Sequence, residues 1–475
     1  MERKHLYING EFQKTEKYYA LFSPYDEKQI AQIAYANEQD VDNAIHSAEK
    51  AFRTMKKMTA NERASILEKL VEKLKKHSEK CAEIIALEAA KPITTARVEV
   101  ERTIMTYKFA AQEARRIHGE TIPLDAAPGG ERRLAYTVRE PLGVVAAITP
   151  FNFPMNLVAH KLGPAIAAGN AIILKPASQT PLTAYFIAEL FEQSGLPMGA
   201  LNVVTGPGRL IGRKLTESEG VEMITFTGSP EVGKAIRSRS GLKKVTLELG
   251  SNSALIIDKG VDYHPLLNRI VQGSFAYSGQ VCISLQRVYV HEEVYEDFVK
   301  SLVKQTKNIK LGNPLDESTE VSALISSADV ERALNWIEEA RESGATVACG
   351  GSRYGNIFTP TILLHVDPKS KVSCEEVFAP IVLVNKVESV NEAIRNVNDS
   401  RYGLQAGIYT ENIKTALEAC DKLEVGGVMV NDIPTFRVDH MPYGGVKESG
   451  TGREGVRYAL EDMTELKLVV MSKDN

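Results

Sequence analysis

Long apolar runs are missing from this chain. No stretch approaches the ~18 to 20 consecutive apolar residues that span a bilayer, and the opening MERKHLYINGEFQK has no apolar core of a secretion signal. A cytoplasmic protein that does not work at a membrane is expected. Basic blocks are missing too. The 57 Lys and Arg stand against 61 Asp and Glu, a formal net charge of -4, so nothing here holds a polyanion and nucleic acid is not an expected partner. Paired cysteines are also absent. Cys81, Cys282, Cys349, Cys374 and Cys420 are odd in number and far apart, with no CxxC pair, which suggests neither a disulfide framework nor a metal site. Free thiols are expected. Internal repeats and low-complexity tracts are absent as well.

What is present is ample apolar content, 43% of 475 residues, too much chain for one ordinary core and enough for two or three domains. From Val41 to about Gly119, apolar residues recur at helical spacing, as in VDNAIHSAEKAF and ASILEKLVEKLKKHSEKCAEIIALEAA. Beyond Arg139 short apolar strands alternate with helices: GVVAAIT, LVAHKLGPAIAAG, NAIILK, PLTAYFIAELFEQ, ALNVVT, MITFT, KKVTLEL. Such alternation predicts βαβ units and a parallel sheet, hence an α/β protein. A second alternating series begins near Ser253 with SALIID, a helix through Ile270 and Phe275, RVYVH and a helix through Phe298, and runs to about Gly450. ERRLAYTVRE and LKLVVM fit neither series, and could pair as an arm between subunits.

Open parallel sheets bind ligands beyond the carboxyl ends of their strands. Five such loops carry polar residues: Thr149-Pro-Phe-Asn-Phe-Pro, Lys175-Pro-Ala-Ser, Thr205-Gly-Pro-Gly, Thr227-Gly-Ser-Pro-Glu-Val-Gly, and Glu248 at the end of VTLELG. GPGRLIG places its third glycine one residue too late for a dinucleotide fingerprint, and a tight turn explains it equally well. Gly228-Ser229-Pro230 reads as a helix start whose bare N–H groups attract phosphate, although most such caps are only caps. In FAYSGQVCISLQR, Cys282 is by itself as well read as a small buried hydrophobe as a nucleophile.

The ordered set TPFNFP, KPAS, FTGSPEVG, LELG, GQVCIS, EEVFAP and MPYGGVKESGTGREG resembles the aldehyde dehydrogenase superfamily over essentially the whole chain. ARVEVERTI, ITPFNFPMNLVAHK, NPLDE and FRVDHMPYGGVK resemble its lactaldehyde dehydrogenase-like branch, neighbour to the non-phosphorylating glyceraldehyde-3-phosphate dehydrogenases. The resemblance implies a Rossmann-like cofactor domain over 1–119 and 141–250, a catalytic α/β domain over 251–455, and a β oligomerisation arm from 120–140 and 456–475. A homo-oligomer, dimer or tetramer, follows from it.

By the same resemblance Cys282 is the nucleophile, Asn152 an oxyanion donor beside the Cys282 N–H, and Glu248 the base for thioester hydrolysis. The cofactor, NAD or NADP, would meet Lys175 and Ser178 at the adenosine ribose, Gly208 near the adenine, and Ser229 and Val232 at the pyrophosphate. Glu376 and Phe378 would meet the nicotinamide ribose, with Thr149, Pro150, Gly228 and Leu249 completing the site. Ser178 stands where strongly NAD-preferring relatives carry a glutamate that repels a 2′-phosphate, so NADP should be accepted. Ser251 replaces a usual glycine. Arg102, Phe153, Arg437 and Tyr443 would meet the substrate, and two guanidiniums repelling one another in a channel would favour a short aldehyde with a 2-hydroxyl, an anionic terminus, or both. Val281, where phosphate-using relatives add an arginine, weighs against a doubly charged phosphate.

Lactaldehyde oxidation leads this reading, with glyceraldehyde 3-phosphate, sulfolactaldehyde and succinate semialdehyde as alternative substrates. Glu248 disfavours a CoA-acylating relative, the lack of a histidine beside the cysteine disfavours a phosphorylating one, and intact Cys282, Glu248 and Asn152 disfavour a non-catalytic protein of the same fold.

Overall fold

Asn37 and Thr59 start the helical part of the chain by reciprocal capping. The Asn37 side chain accepts from the Asp40 N–H while the Asp40 carboxylate accepts from the Asn37 N–H, and Thr59 and Glu62 repeat the arrangement. The computed structural model, which describes residues 2–473, then runs through helices Glu38–Met55, Ala60–Lys76, Ser78–Ala89 and Ile93–Ala114. Their apolar stripes, among them Leu67, Leu70 and Leu74, are buried in the first core beside Ile172 and Leu174 of the sheet.

That sheet has eight strands. Val144–Ile148 is central, Ala171–Lys175 and Leu201–Val203 continue on one side, Met223–Thr227 and Lys244–Glu248 on the other, all parallel. The direction of growth therefore reverses between Val144–Ile148 and Met223–Thr227, the kind of switch point whose crevice receives ligands. Antiparallel strands close both edges: Leu6–Ile8 and Glu11–Gln13 beyond Leu201–Val203, and Gly450–Thr451 beside Lys244–Glu248. Strands of two or three residues display no alternation, so the sequence predicts neither edge. Arg3–Lys4, Gln29–Tyr35 and Lys17–Phe22 form a separate three-stranded sheet.

The second sheet is ordered Thr346–Cys349, Thr361–Leu364, Ile381–Val387, Arg287–His291, Ala254–Ile257, Gln405–Tyr409, Gly427–Val430, parallel except at its first strand. Arg133–Pro141 pairs antiparallel with Thr464–Ser472 in register Thr464↔Pro141 to Ser472↔Arg133, so the two leftover segments do find each other. Within 456–475, however, Val456–Asp462 is a helix packed on Ile93–Ala114 and Asn156–Ala168, and only the strand after it joins that sheet. Residue 1 of the expected cofactor domain and residues 474 and 475 of the expected arm lie outside the described residues. All five cysteines are unpaired. Among the described residues no helix is long and apolar enough to cross a membrane.

Candidate functional site

At the switch point a cleft of about 730 Å³ opens over the strand ends. Thr149 and Pro150 leave Val144–Ile148 into it, Lys175 ends its own strand there, and Gly228 and Ser229 follow Met223–Thr227. Ser229 caps helix Pro230–Arg239, accepting from the Val232 N–H at 3.4 Å, with proline at the first helical position. Burial lowers the Lys175 ammonium to about 8; it donates to the Pro176 carbonyl at 3.0 Å. Ser178 lines the cleft, its hydroxyl 3.4 Å from the Gly206 carbonyl. A Cβ on Gly208 would meet Lys175 only at ordinary contact, 3.7 Å, so packing does not demand glycine there.

Two observations fit this cleft to a ligand rich in phosphate and hydroxyl. The hydroxyls of Thr149 and Thr227 are buried in its wall without a partner, a costly state that a ligand relieves. Four cations, Lys175, Arg209, Arg213 and Arg239, line it against one carboxylate, Glu231. Arg209 and Arg239 escape a sequence reading because a lone arginine on a short helix is normally solvated.

A second cavity, about 450 Å³, continues from the first and shares Pro150, Phe151, Thr227, Gly228, Ser229 and Glu231 with it. Asn152, Leu249, Cys282, Glu376 and Phe378 line the continuation. Phe378 has φ of 50° and sets its ring edge-on to Phe151 at 5.7 Å. Glu376 accepts from the Ser251 N–H at 3.0 Å, and burial lifts its carboxyl to about 7. A Cβ on Gly250 would come within 2.8 Å of that carboxyl, so the glycine lets it lie flat on the backbone. The serine at 251 thus serves Glu376 through its backbone, while its hydroxyl meets Ser253.

Cys282 follows a turn in which Tyr277 and Ser278 both take positive φ, 48° and 55°. They are held there by bonds from Tyr277 to the Ala89 carbonyl and from Ser278 to the Ser322 carbonyl. Burial lifts the Cys282 thiol to about 11, and its Sγ lies 2.8 Å from the Tyr443 hydroxyl. Asn152 is buried and donates one amide hydrogen to the Gln280 carbonyl at 2.9 Å, leaving the other donor of its two. Its backbone carbonyl accepts from Lys91 at 2.6 Å.

Glu248 ends its strand with both carboxyl oxygens buried and unpartnered. Burial and the nearby Glu454 push it well above the usual carboxylate range, against the pull of Arg437, Lys161 and Arg453. Its Oε1 rests where a Cβ on Gly444 would approach to 2.9 Å, and Leu249, not Glu248, lines the Cys282 cavity.

Behind these groups lies a buried polar network that the sequence does not announce. Helix Asn156–Ala168 is buried along its whole length, and Asn156 and His160, one turn apart, both bond Asp439 Oδ1, at 3.0 and 2.9 Å. Lys161 meets Glu454 at 3.2 Å. The expectation of two unneutralised guanidiniums fails here. Arg102 forms a two-point pair with Asp439, at 2.8 and 3.2 Å, and Arg437 pairs with Glu454 at 2.8 Å while lying over the Tyr443 ring at 3.6 Å. An enclosed guanidinium needs a counter-charge, and the chain supplies both from its own loops. Phe153 sits under Lys91 and Arg102, 3.8 and 5.8 Å from its ring centroid.

The family model described as aldehyde dehydrogenase family matches residues 12–469. A 3-sulfolactaldehyde dehydrogenase of Priestia aryabhattai is 48% identical over 467 residues, 98% of each chain. A lactaldehyde dehydrogenase of Methanococcus aeolicus is 40% identical over 471 residues, 98% of this chain and 100% of its own. Among solved structures, a glyceraldehyde-3-phosphate dehydrogenase of Methanocaldococcus jannaschii complexed with NADP has a TM-score of 0.93 at 40% identity, covering 96% of this chain and 100% of that one.

Proposed function

The chain belongs to the aldehyde dehydrogenase family and is an NAD(P)-dependent aldehyde dehydrogenase, and we propose that it oxidises a short 2-hydroxyaldehyde, lactaldehyde or one with a singly charged terminus such as 3-sulfolactaldehyde. The observation that carries the chemistry is the Cys282 thiol in the wall of the cavity that continues the nucleotide-sized cleft. Cys282 as thiolate adds to the aldehyde carbon. The oxygen gains the charge, and the Asn152 amide and the Cys282 N–H stabilise it, each donor contributing about 2.7 to 4 kcal/mol in comparable sites. The bound nicotinamide, NAD or NADP, would supply the hydride acceptor for that carbon. Glu248, ionised and rotated away from Gly444, takes a proton from the water that adds to the thioester, and the Cys282 thiolate leaves with the acid released.

Lys175 and Ser178 would hold the adenosine ribose, the helix start at Ser229 and Val232 the pyrophosphate, and Glu376 and Phe378 the nicotinamide ribose. Thr149, Pro150, Gly208 and Gly228 shape the remainder of the cleft, and Leu249 the cavity that continues it. Lys175, Arg209 and Arg239, in the cleft that Ser178 also lines, support use of NADP, the cofactor bound by the Methanocaldococcus jannaschii enzyme.

For the substrate, the named aldehydes of the two relatives are both 2-hydroxyaldehydes. The paired network adds a limit on charge. Arg102 and Arg437 are each met by a carboxylate of the chain, Asp439 and Glu454, which leaves neither guanidinium free to balance a second negative charge. That suits a hydroxyl or one negative charge better than a phosphate dianion. The exposed apolar residues Leu466, Leu468 and Val470 on the outer strand of the small sheet support assembly into a homo-oligomer. Five free thiols suit the cytoplasm.

The test is reduced-nicotinamide absorbance with lactaldehyde, 3-sulfolactaldehyde, glyceraldehyde 3-phosphate, succinate semialdehyde and hexanal, each with NAD and NADP. The highest kcat/KM should fall on one of the first two, and Cys282→Ala should abolish turnover while cofactor still binds. Hexanal as the best substrate overturns the substrate reading, and turnover by Cys282→Ala overturns the mechanism.

A further inference from the structure

The surroundings of the Cys282 thiol oppose its ionisation. Burial is the main influence, and Glu376 and Glu248, when ionised, add negative charge nearby. Nucleophilic cysteines usually depend on a histidine, a lysine or a helix N-terminus to hold the thiolate. None fills that part here, for among the described residues the side chain within hydrogen-bonding distance of Sγ is Tyr443, its hydroxyl at 2.8 Å.

We propose that the Tyr443 hydroxyl is a catalytic group that donates a hydrogen bond to Cys282 Sγ and stabilises the thiolate, with Arg437 on its ring face strengthening the donor. The proposal rests on Cys282 being the nucleophile. Tyr443 is 2% exposed, and a phenylalanine would fill the same space, so what tyrosine adds at this position is the hydroxyl. Burial pushes the phenol well above its usual range, so it keeps its proton and the bond runs from O–H to sulfur. The Arg437 guanidinium lies 3.6 Å from the ring centroid, where a cation draws electron density out of the ring and makes the phenol a better donor. Glu454 at 2.8 Å fixes Arg437 in that position, with 6% of its side chain exposed. The charged and titratable groups acting on the thiol are therefore Tyr443 and Arg437 in favour of ionisation, and Glu376 and Glu248 against it. On ionisation the thiol proton passes to solvent in the cavity that Cys282 lines, and the phenol proton stays on its oxygen.

The measurement is the pH dependence of Cys282 alkylation by iodoacetamide in the cofactor-free full-length enzyme, followed on the Cys282 peptide by mass spectrometry with Cys282→Ala as blank. For Tyr443→Phe the midpoint should rise by about one unit or more, as loss of a hydrogen bond to a charged group implies, and the first-turnover rate near neutral pH should fall about tenfold with it. An unchanged midpoint in folded Tyr443→Phe overturns the proposal while leaving Cys282 as nucleophile. Activity in Cys282→Ala instead removes the nucleophile itself. If Tyr443→Phe does not fold, 3-fluorotyrosine incorporated at position 443, a more acidic phenol of nearly the same size, should lower the midpoint; no movement overturns the proposal.

Discussion

The Glu248 carboxyl has neither oxygen hydrogen-bonded, and burial with the charge of Glu454 favours its protonated form. Hydrolysis of a thioester needs the carboxylate. Steady-state turnover should therefore rise with pH, and Glu248→Gln should lose that rise, giving a burst of reduced cofactor near one per active site and then slow turnover. Stability has the opposite sign. A carboxyl raised in the folded state contributes stability fully below its unfolded value, about 4.3, and loses it as pH rises through the folded value. Glutamine has no such loss, so the thermal midpoint of Glu248→Gln relative to wild type should be higher at pH about 8 than at pH about 5. At the far end of the cleft, Ser178→Glu puts a carboxylate where four cations now face one. KM for NADP should rise at least tenfold more than KM for NAD; equal losses would show that this loop does not read the 2′ position.

Elements come together at the active centre through one buried ion pair. Lys91, just before helix Ile93–Ala114, and Glu99 within it are both fully buried and paired. Glu99 also accepts from the Met155 and Asn156 N–H groups, at 2.9 and 3.1 Å, at the start of helix Asn156–Ala168. Lys91 reaches the Asn152 carbonyl and lies 4.3 Å from the Tyr277 ring centroid, on the turn that precedes Cys282. One helix thus ties the loop of the oxyanion donor to the loop of the nucleophile. Lys91→Met leaves Glu99 charged and enclosed, and should cost about 3 to 5 kcal/mol. Adding Glu99→Gln should return part of that. Chemical denaturation of the two variants against wild type measures both, and equal stability of Lys91→Met and wild type would show that the pair is not holding these elements.

At the scale of the molecule, the open edge is the strand Thr464–Ser472, outermost in its three-stranded sheet. Leu466, Leu468 and Val470, alternate residues on one face, are 54%, 53% and 46% exposed, although Thr137 and Ala135, the partners of Leu468 and Val470 in the adjoining strand, are buried. An apolar row on an unpaired edge is a liability in a lone subunit and an asset in an assembly. Leu466→Lys with Leu468→Lys should lower the mass seen in sedimentation while each chain keeps its fold. An unchanged mass would place the subunit contact elsewhere.

What the sequence determined alone is the local order: capped helices, apolar strands and the polar loops after them, because periodicity and caps act over a few residues. Motif order was legible for the same reason, and the structure places Cys282, Asn152, Glu376 and Phe378 in the wall of one cavity. The tertiary structure alone decided which charges meet. Arg102 finds Asp439 across 337 positions, Lys161 finds Glu454 across 293, and Tyr443 finds Cys282 across 161. Residues so far apart in the chain share no local pattern, and a burial that forces a charge to find a partner exists only once the helices and both sheets have packed. The same packing completed the sheet edges with strands of two or three residues, whose placement comes from the neighbours they hydrogen-bond and not from any alternation of their own.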